Sequence, residues 1–190
     1  MAQQRLVIDG FGQLELNNAA FRRDGRVEAQ CALNSSEFSA SVPAENGMVL
    51  AVEKAKKQIR FMLSSSEVAP LAINYTAEHY YDERNAGLKN FKLTPADGFY
   101  PRVGYPAVGD IYTTNTVSYD STVDTGWTTD ALFKQACGAV ATTPLYGGPS
   151  TDGSILISAT APAAGLTFAV VGATTMPDGQ FGVKLQVIAV

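Results

Sequence analysis

Apolar and polar residues alternate along short stretches of this chain, and turn residues separate the stretches. Over 57–63, Ile59, Phe61 and Leu63 alternate with Gln58 and Arg60. Over 181–189, Phe181, Val183, Leu185, Val187 and Ala189 alternate with Gly182, Lys184 and Gln186. A period of two puts successive side chains on opposite faces of a strand, so both stretches predict half-buried β-strands. The stretch 26–33 predicts another, with Val27, Ala29, Cys31 and Leu33 on one face. The stretches 48–53, 71–76, 110–118 and 166–171 are rich in residues that suit a pleated surface. Asp-Gly at 9–10, 24–25, 97–98, 152–153 and 178–179, and Asn-Gly at 46–47, supply the positive φ that tight turns need. Residues 53–56 then join 48–53 to 57–63 as a hairpin, and Met176-Pro177-Asp178-Gly179 joins 166–171 to 181–189.

One helix is predicted near 130–138. Thr128 or Thr129 caps it, Asp130 sits at its positive end, and Gly138 stops it. The pairs Leu132/Ala136 and Phe133/Cys137 are spaced i, i+4, while a strand over 131–140 stays open as the alternative. Many short strands with regular turns define an all-β chain, mainly an antiparallel barrel or sandwich, with at most one or two short helices. A soft boundary near residue 66 separates an N-terminal β-rich segment, 1–65, from a C-terminal β domain, 66–190, unless the two form one domain.

Composition narrows the function. The chain has 190 residues, 46% of them hydrophobic and 17% charged, with a net charge of −4. A nucleic-acid binder needs a cationic surface, and the basic clusters at 22–26 and 54–57 are short and interrupted, so no nucleic-acid partner is expected. Residues 1–95 carry 11 basic and 11 acidic side chains; residues 96–190 carry 3 and 7, and hold the whole net charge. The nearly uncharged segment 142–165 reads as a loop wrapped on a neighbour or a partly flexible link. No apolar run reaches 18 residues, and the first ten residues hold no apolar signal core. Neither a membrane partner nor secretion is expected, and synthesis in a cytoplasm leaves the thiols reduced.

Candidate chemistry is sparse. Cys31 and Cys137 stand alone, with no Cys-x-x-Cys for a structural zinc. Cys31, on an apolar strand face, reads as a buried small hydrophobe. The single His, His79, lies among Glu78, Tyr80, Tyr81, Asp82, Glu83 and Arg84, a run that reads as an exposed turn. No serine elbow, dinucleotide fingerprint or phosphate loop is present, and nothing singles out a carboxylate pair. No catalytic, cofactor or metal residue is assigned, and no enzyme is expected. The tyrosines at 75, 80, 81, 100, 105 and 112 concentrate in the middle of the chain, where aromatic rings suit either a core edge or an interface.

Three stretches carry a resemblance: 45–54 (ENGMVLAVEK), 100–115 (YPRVGYPAVGDIYTTN) and 175–188 (TMPDGQFGVKLQVI). Together they resemble virion structural proteins of tailed bacteriophages, small β-rich chains of the capsid decoration or cement kind. The resemblance implies binding to the major capsid protein, a place on the capsid surface after assembly in the host cytoplasm, and no catalytic residues. Avidity from a homo-oligomer, a trimer being favoured, fits such a role. Partner contacts are expected from loops at 100–106 and 145–151, through Tyr100, Tyr105, Leu145 and Tyr146. A tail, neck or head-fibre component is one alternative; a carbohydrate- or receptor-binding module using Trp127 or Tyr80 and Tyr81 is another.

Overall fold

A computed structural model describes residues 3–64, 67, 69–76 and 92–190. The chain is all-β, in three sheets with one α-helix among these residues. The strands are β1 (Gln3–Arg5), β2 (Leu14–Glu15), β3 (Val27–Glu28), β4 (Ala32–Leu33), β5 (Ala44–Glu45), β6 (Val49–Glu53), β7 (Gln58–Arg60) and β8 (Leu71–Asn74). They continue with β9 (Lys92–Leu93), β10 (Val103–Gly104), β11 (Ile111–Thr114), β12 (Val117–Asp120), β13 (Tyr146–Pro149), β14 (Ile155–Ser158), β15 (Thr167–Thr175) and β16 (Phe181–Ala189). The helix, α1, spans Asp130–Gly138. No helix among the described residues is long and apolar enough to cross a membrane.

The largest sheet runs β1-β12-β14-β13-β15-β16-β11-β2, antiparallel except for the parallel pair β12–β14. Its curvature follows from chain geometry. Laid flat, β12 and β11 would be about 24 Å apart, five strand spacings. Only Asn115 and Thr116 join them, a link that reaches roughly 11 Å. The sheet therefore curls back on itself like a barrel. Inside it lie Tyr112, Tyr119, Ile155, Ile157, Phe168, Val183, Leu185 and Val187, all buried. The hairpin β15–β16 is the longest pairing, and Val183, Leu185 and Val187 face the core as their alternation predicts.

The second sheet runs β3-β10-β8-β6-β7-β4. Its central strands are buried on both faces. Val49 of β6 and Ile73 of β8 join the barrel core together with Phe21 and Tyr75. Their neighbours Leu50 and Ala72 point the other way, into a second core with Cys31, Leu33, Phe38, Val52, Ile59 and Leu93. Burial on both sides explains why 48–52 is a continuous apolar run and not an alternation. The short pair β5–β9 forms the third sheet. The soft boundary near residue 66 falls within the second sheet: β6 pairs with β7, which precedes it, and with β8, which follows it.

Several elements differ from the sequence reading. The strand expected over 26–33 is two strands in different parts of the sheet. The Glu28 carboxylate accepts the backbone N–H of Gln30 at 2.7 Å, turning the chain between them. The strand expected over 110–118 breaks at the Asn115-Thr116 corner, where Thr116 N–H donates to Thr114 Oγ1 at 3.0 Å. The segment 142–165 is not a loop or link, because it contains β13 and β14, paired with each other inside the large sheet. The helix is capped by Thr129, whose hydroxyl accepts the Leu132 N–H. It turns Phe133 and Cys137 inward and leaves Leu132 exposed, so the strand alternative for 131–140 is excluded.

Candidate interaction surface

The buried acids serve the fold. Glu45 Oε2 accepts Arg5 Nη2 at 2.8 Å and the Gly12 N–H at 2.9 Å. Asn74 Nδ2 donates to the Glu45 carbonyl at 2.9 Å, and Thr116 Oγ1 donates to the Asn46 carbonyl at 2.7 Å. This polar belt ties the loops of one sheet to the corner of the other and satisfies backbone groups that burial would otherwise penalise. Asp110 does similar work: it accepts the N–H groups of Ala20 (3.0 Å) and Ala107 (2.9 Å) and Arg26 Nη2 (3.2 Å). Among the described residues, no group of three or more His, Cys, Asp or Glu converges as a metal site. The cluster at 78–84, with His79, Tyr80 and Tyr81, lies outside the described residues.

Asp110 also shapes the surface beside it. Its backbone N–H closes a turn onto Ala107, with Gly109 at φ 96°. The turn is stitched to β16, since Gly109 N–H donates to Val187 and Val187 N–H to Asp110, each at 2.9 Å. Val108 and Ile188, neighbours of these bonded residues, are left in solvent, as is Val190. Next to them a groove of about 360 Å³ is lined by Pro70, Leu71, Tyr105, Pro106, Leu166 and Val190. This mainly apolar surface, with Glu67 on one wall of the groove, suits contact with another protein. Lys54 borders it, its ammonium 5.5 Å from the Tyr105 ring centroid and 3.6 Å from Glu28.

The four residues expected to make partner contacts separate. Tyr105 lines this groove, and Tyr100 is 55% exposed. Leu145 is only 3% exposed and belongs to the barrel core, so it offers no contact area. Tyr146 is half-buried in β13, between β14 and β15. The 145–151 loop is therefore a strand and the turn after it, and 100–106 contains β10, whose Val103 is fully buried. Val108, Ile188 and Val190 were not singled out by the sequence reading. The signal for Ile188 and Val190 is the run Val187-Ile188-Ala189-Val190, which is apolar on both faces at the end of an otherwise alternating strand; Val108 has no such signal.

Both thiols are sealed: Cys31 and Cys137 are free and buried. Burial pushes the Cys137 thiol up to about 12 from an ordinary 9.0. Burial first, and then the hydrogen bond to Asp130, push the Tyr119 hydroxyl up to about 12 from 10.0. The unfolded chain releases these protons at lower pH than the folded one. Stability from both groups is thus complete below about pH 9 and declines as pH rises toward about 12. Urea midpoints measured across that range are expected to fall, and to fall less steeply in Cys137→Ala. Equal slopes in the two proteins would remove Cys137 from the account.

The chain matches no family model, no curated protein and no solved structure.

Proposed function

We propose that this protein is a structural component of tailed-phage virions: a capsid decoration or cement protein that binds the major capsid protein, stabilises the shell and performs no catalysis. The observation that carries the reading is the apolar surface of Val108, Ile188, Val190 and the adjoining Tyr105 groove. A protein that coats a lattice needs such a surface on a stable body, and a homotrimer at a local threefold would multiply modest single contacts. The resemblance of the blocks 45–54, 100–115 and 175–188 points the same way; in the fold they fall on β5–β6, on β10–β11 and on β16 with the turn before it. A carbohydrate-binding role through Trp127 is disfavoured: that ring is 9% exposed and packs edge-on against Phe133.

The test mixes purified protein with phage shells that lack it. Co-sedimentation with the shells is expected, together with a higher temperature of shell disruption. Ile188→Glu, which sets a charge on the apolar surface without touching the core, is expected to weaken the association. Absence from shells at native salt, with retention on isolated tails, would overturn this reading in favour of a tail component.

A further inference from the structure

Five Asp-Gly pairs and one Asn-Gly pair expose this chain to a rearrangement of its own backbone. A glycine nitrogen, unhindered by a Cβ, attacks the side-chain carbonyl carbon of the residue before it when both groups are free to meet. The fold withdraws one or both groups at every pair but the first. The N–H groups of Gly98, Gly153 and Gly179 donate to the carbonyls of Pro95, Ser150 and Met176 at 3.4, 3.0 and 2.9 Å. The aspartates before them are engaged as well: Asp97 by the Thr94 N–H, Asp152 by the Ser154 N–H and Asp178 by the Gln180 N–H. Gly47 N–H donates to the Asn74 carbonyl at 2.8 Å, and Asn46 is buried. Asp24 keeps one oxygen on Arg23 and the other on Arg26, at 3.1 and 3.8 Å.

Asp9-Gly10 is the exception. Both residues are exposed, and no atom lies within 4 Å of where a Cβ would stand on Gly10. Among the described residues, neither the Asp9 carboxylate nor the Gly10 N–H has a hydrogen-bond or ion-pair partner. The Asp9 N–H donates to Gln180 Oε1 at 3.1 Å, which anchors the residue and leaves its carboxyl and the peptide after it free. We propose that Asp9-Gly10 is a self-modification site, at which the folded chain converts aspartate to isoaspartate. The Gly10 nitrogen forms a bond to Asp9 Cγ, and a carboxyl oxygen leaves as water with the carboxyl proton and the proton of the nitrogen. The succinimide so formed takes up water. Cleavage at Cγ restores aspartate. Cleavage at the main-chain carbonyl carbon leaves the chain running through Cβ and Cγ, one methylene longer, with a free α-carboxylate and unchanged mass. This inference is independent of the capsid reading.

The test incubates the purified protein at neutral pH and physiological temperature, folded and in parallel in urea, and then maps its proteolytic peptides. Isoaspartate is read as a peptide of unchanged mass and shifted retention that accepts a labelled methyl group from a protein isoaspartyl methyltransferase. In the folded protein the label is expected in the peptide containing Asp9, with the other Asp-Gly pairs and Asn46-Gly47 unlabelled. In urea all of the pairs are expected to acquire it. Asp9→Ser, a change at an exposed position, is expected to abolish the label of the folded protein. Label spread over several pairs in the folded protein, or absent from Asp9 while the urea sample acquires it there, overturns the proposal.

Discussion

Replacing Phe133 by Ala is expected to lower the unfolding free energy by about 3–5 kcal/mol. The nine-residue α1 is too short to be stable in water by itself, so its persistence depends on what it packs against. That packing centres on one ring. Phe133 is fully buried and stacks on Tyr119, with centroids 4.7 Å apart and planes 15° apart. It also meets Trp127 edge-on at 5.6 Å. Polar ties converge on the same place: Asp130, at the first turn, accepts the Tyr119 hydroxyl at 2.8 Å and the Val7 N–H at 3.0 Å. Removing the ring leaves a cavity against strands whose sheet pairing limits their collapse. Urea denaturation followed by Trp127 emission measures both the loss of stability and the loosening of the indole. Leu132→Ala, on the exposed side of the same helix, is expected to stay within about 0.5 kcal/mol. Equal midpoints for the two variants would mean that the helix is held by something other than its inward face.

What the sequence revealed divides along the range of the interactions involved. Turn chemistry is local. The glycines of all five Asp-Gly pairs and of Asn46-Gly47 adopt positive φ, as their steric freedom allows. The β15–β16 hairpin is equally readable, because its alternation and its Pro-Asp-Gly turn lie in one stretch. The parallel pair β12–β14 and the curl that brings β11 beside β12 depend on distant residues, and no short window contains them. Gly147 shows why 145–151 reads as a loop. A strand glycine carries no alternation signal, yet here the space of its side chain is taken by Ile155, whose Cγ2 lies 2.8 Å from where a Cβ would be. The exposed apolar surface is half legible. Tyr105 stood out as an aromatic beside proline, whereas Ile188 and Val190 were absorbed into the strand that precedes them.

Gly104→Ala is expected to destabilise the protein by about 1–3 kcal/mol or more, an unusual outcome for the addition of one methyl group. The backbone of Gly104 has no positive φ, so conformational strain plays no part. The obstacle is Phe21, fully buried, whose Cδ2 lies 2.2 Å from the position of an added Cβ. Neither side can yield easily. Gly104 sits in β10, paired with Val27 of β3 on one side and Ile73 of β8 on the other. Phe21 is wedged against Tyr75, with ring centroids 5.1 Å apart, and its carbonyl accepts the Arg26 N–H at 2.9 Å. Gly138→Ala provides the opposite case. No atom lies within 4 Å of its added Cβ, and within α1 alanine is preferred to glycine, so stability is expected to rise by roughly 0.5–1 kcal/mol. Combining Gly104→Ala with Phe21→Leu separates crowding from other causes. If the clash is the cause, the double variant is less destabilised than the two single losses added together. Strict additivity would mean that the ring and the glycine do not meet, and that Phe21 is not what requires glycine at this position.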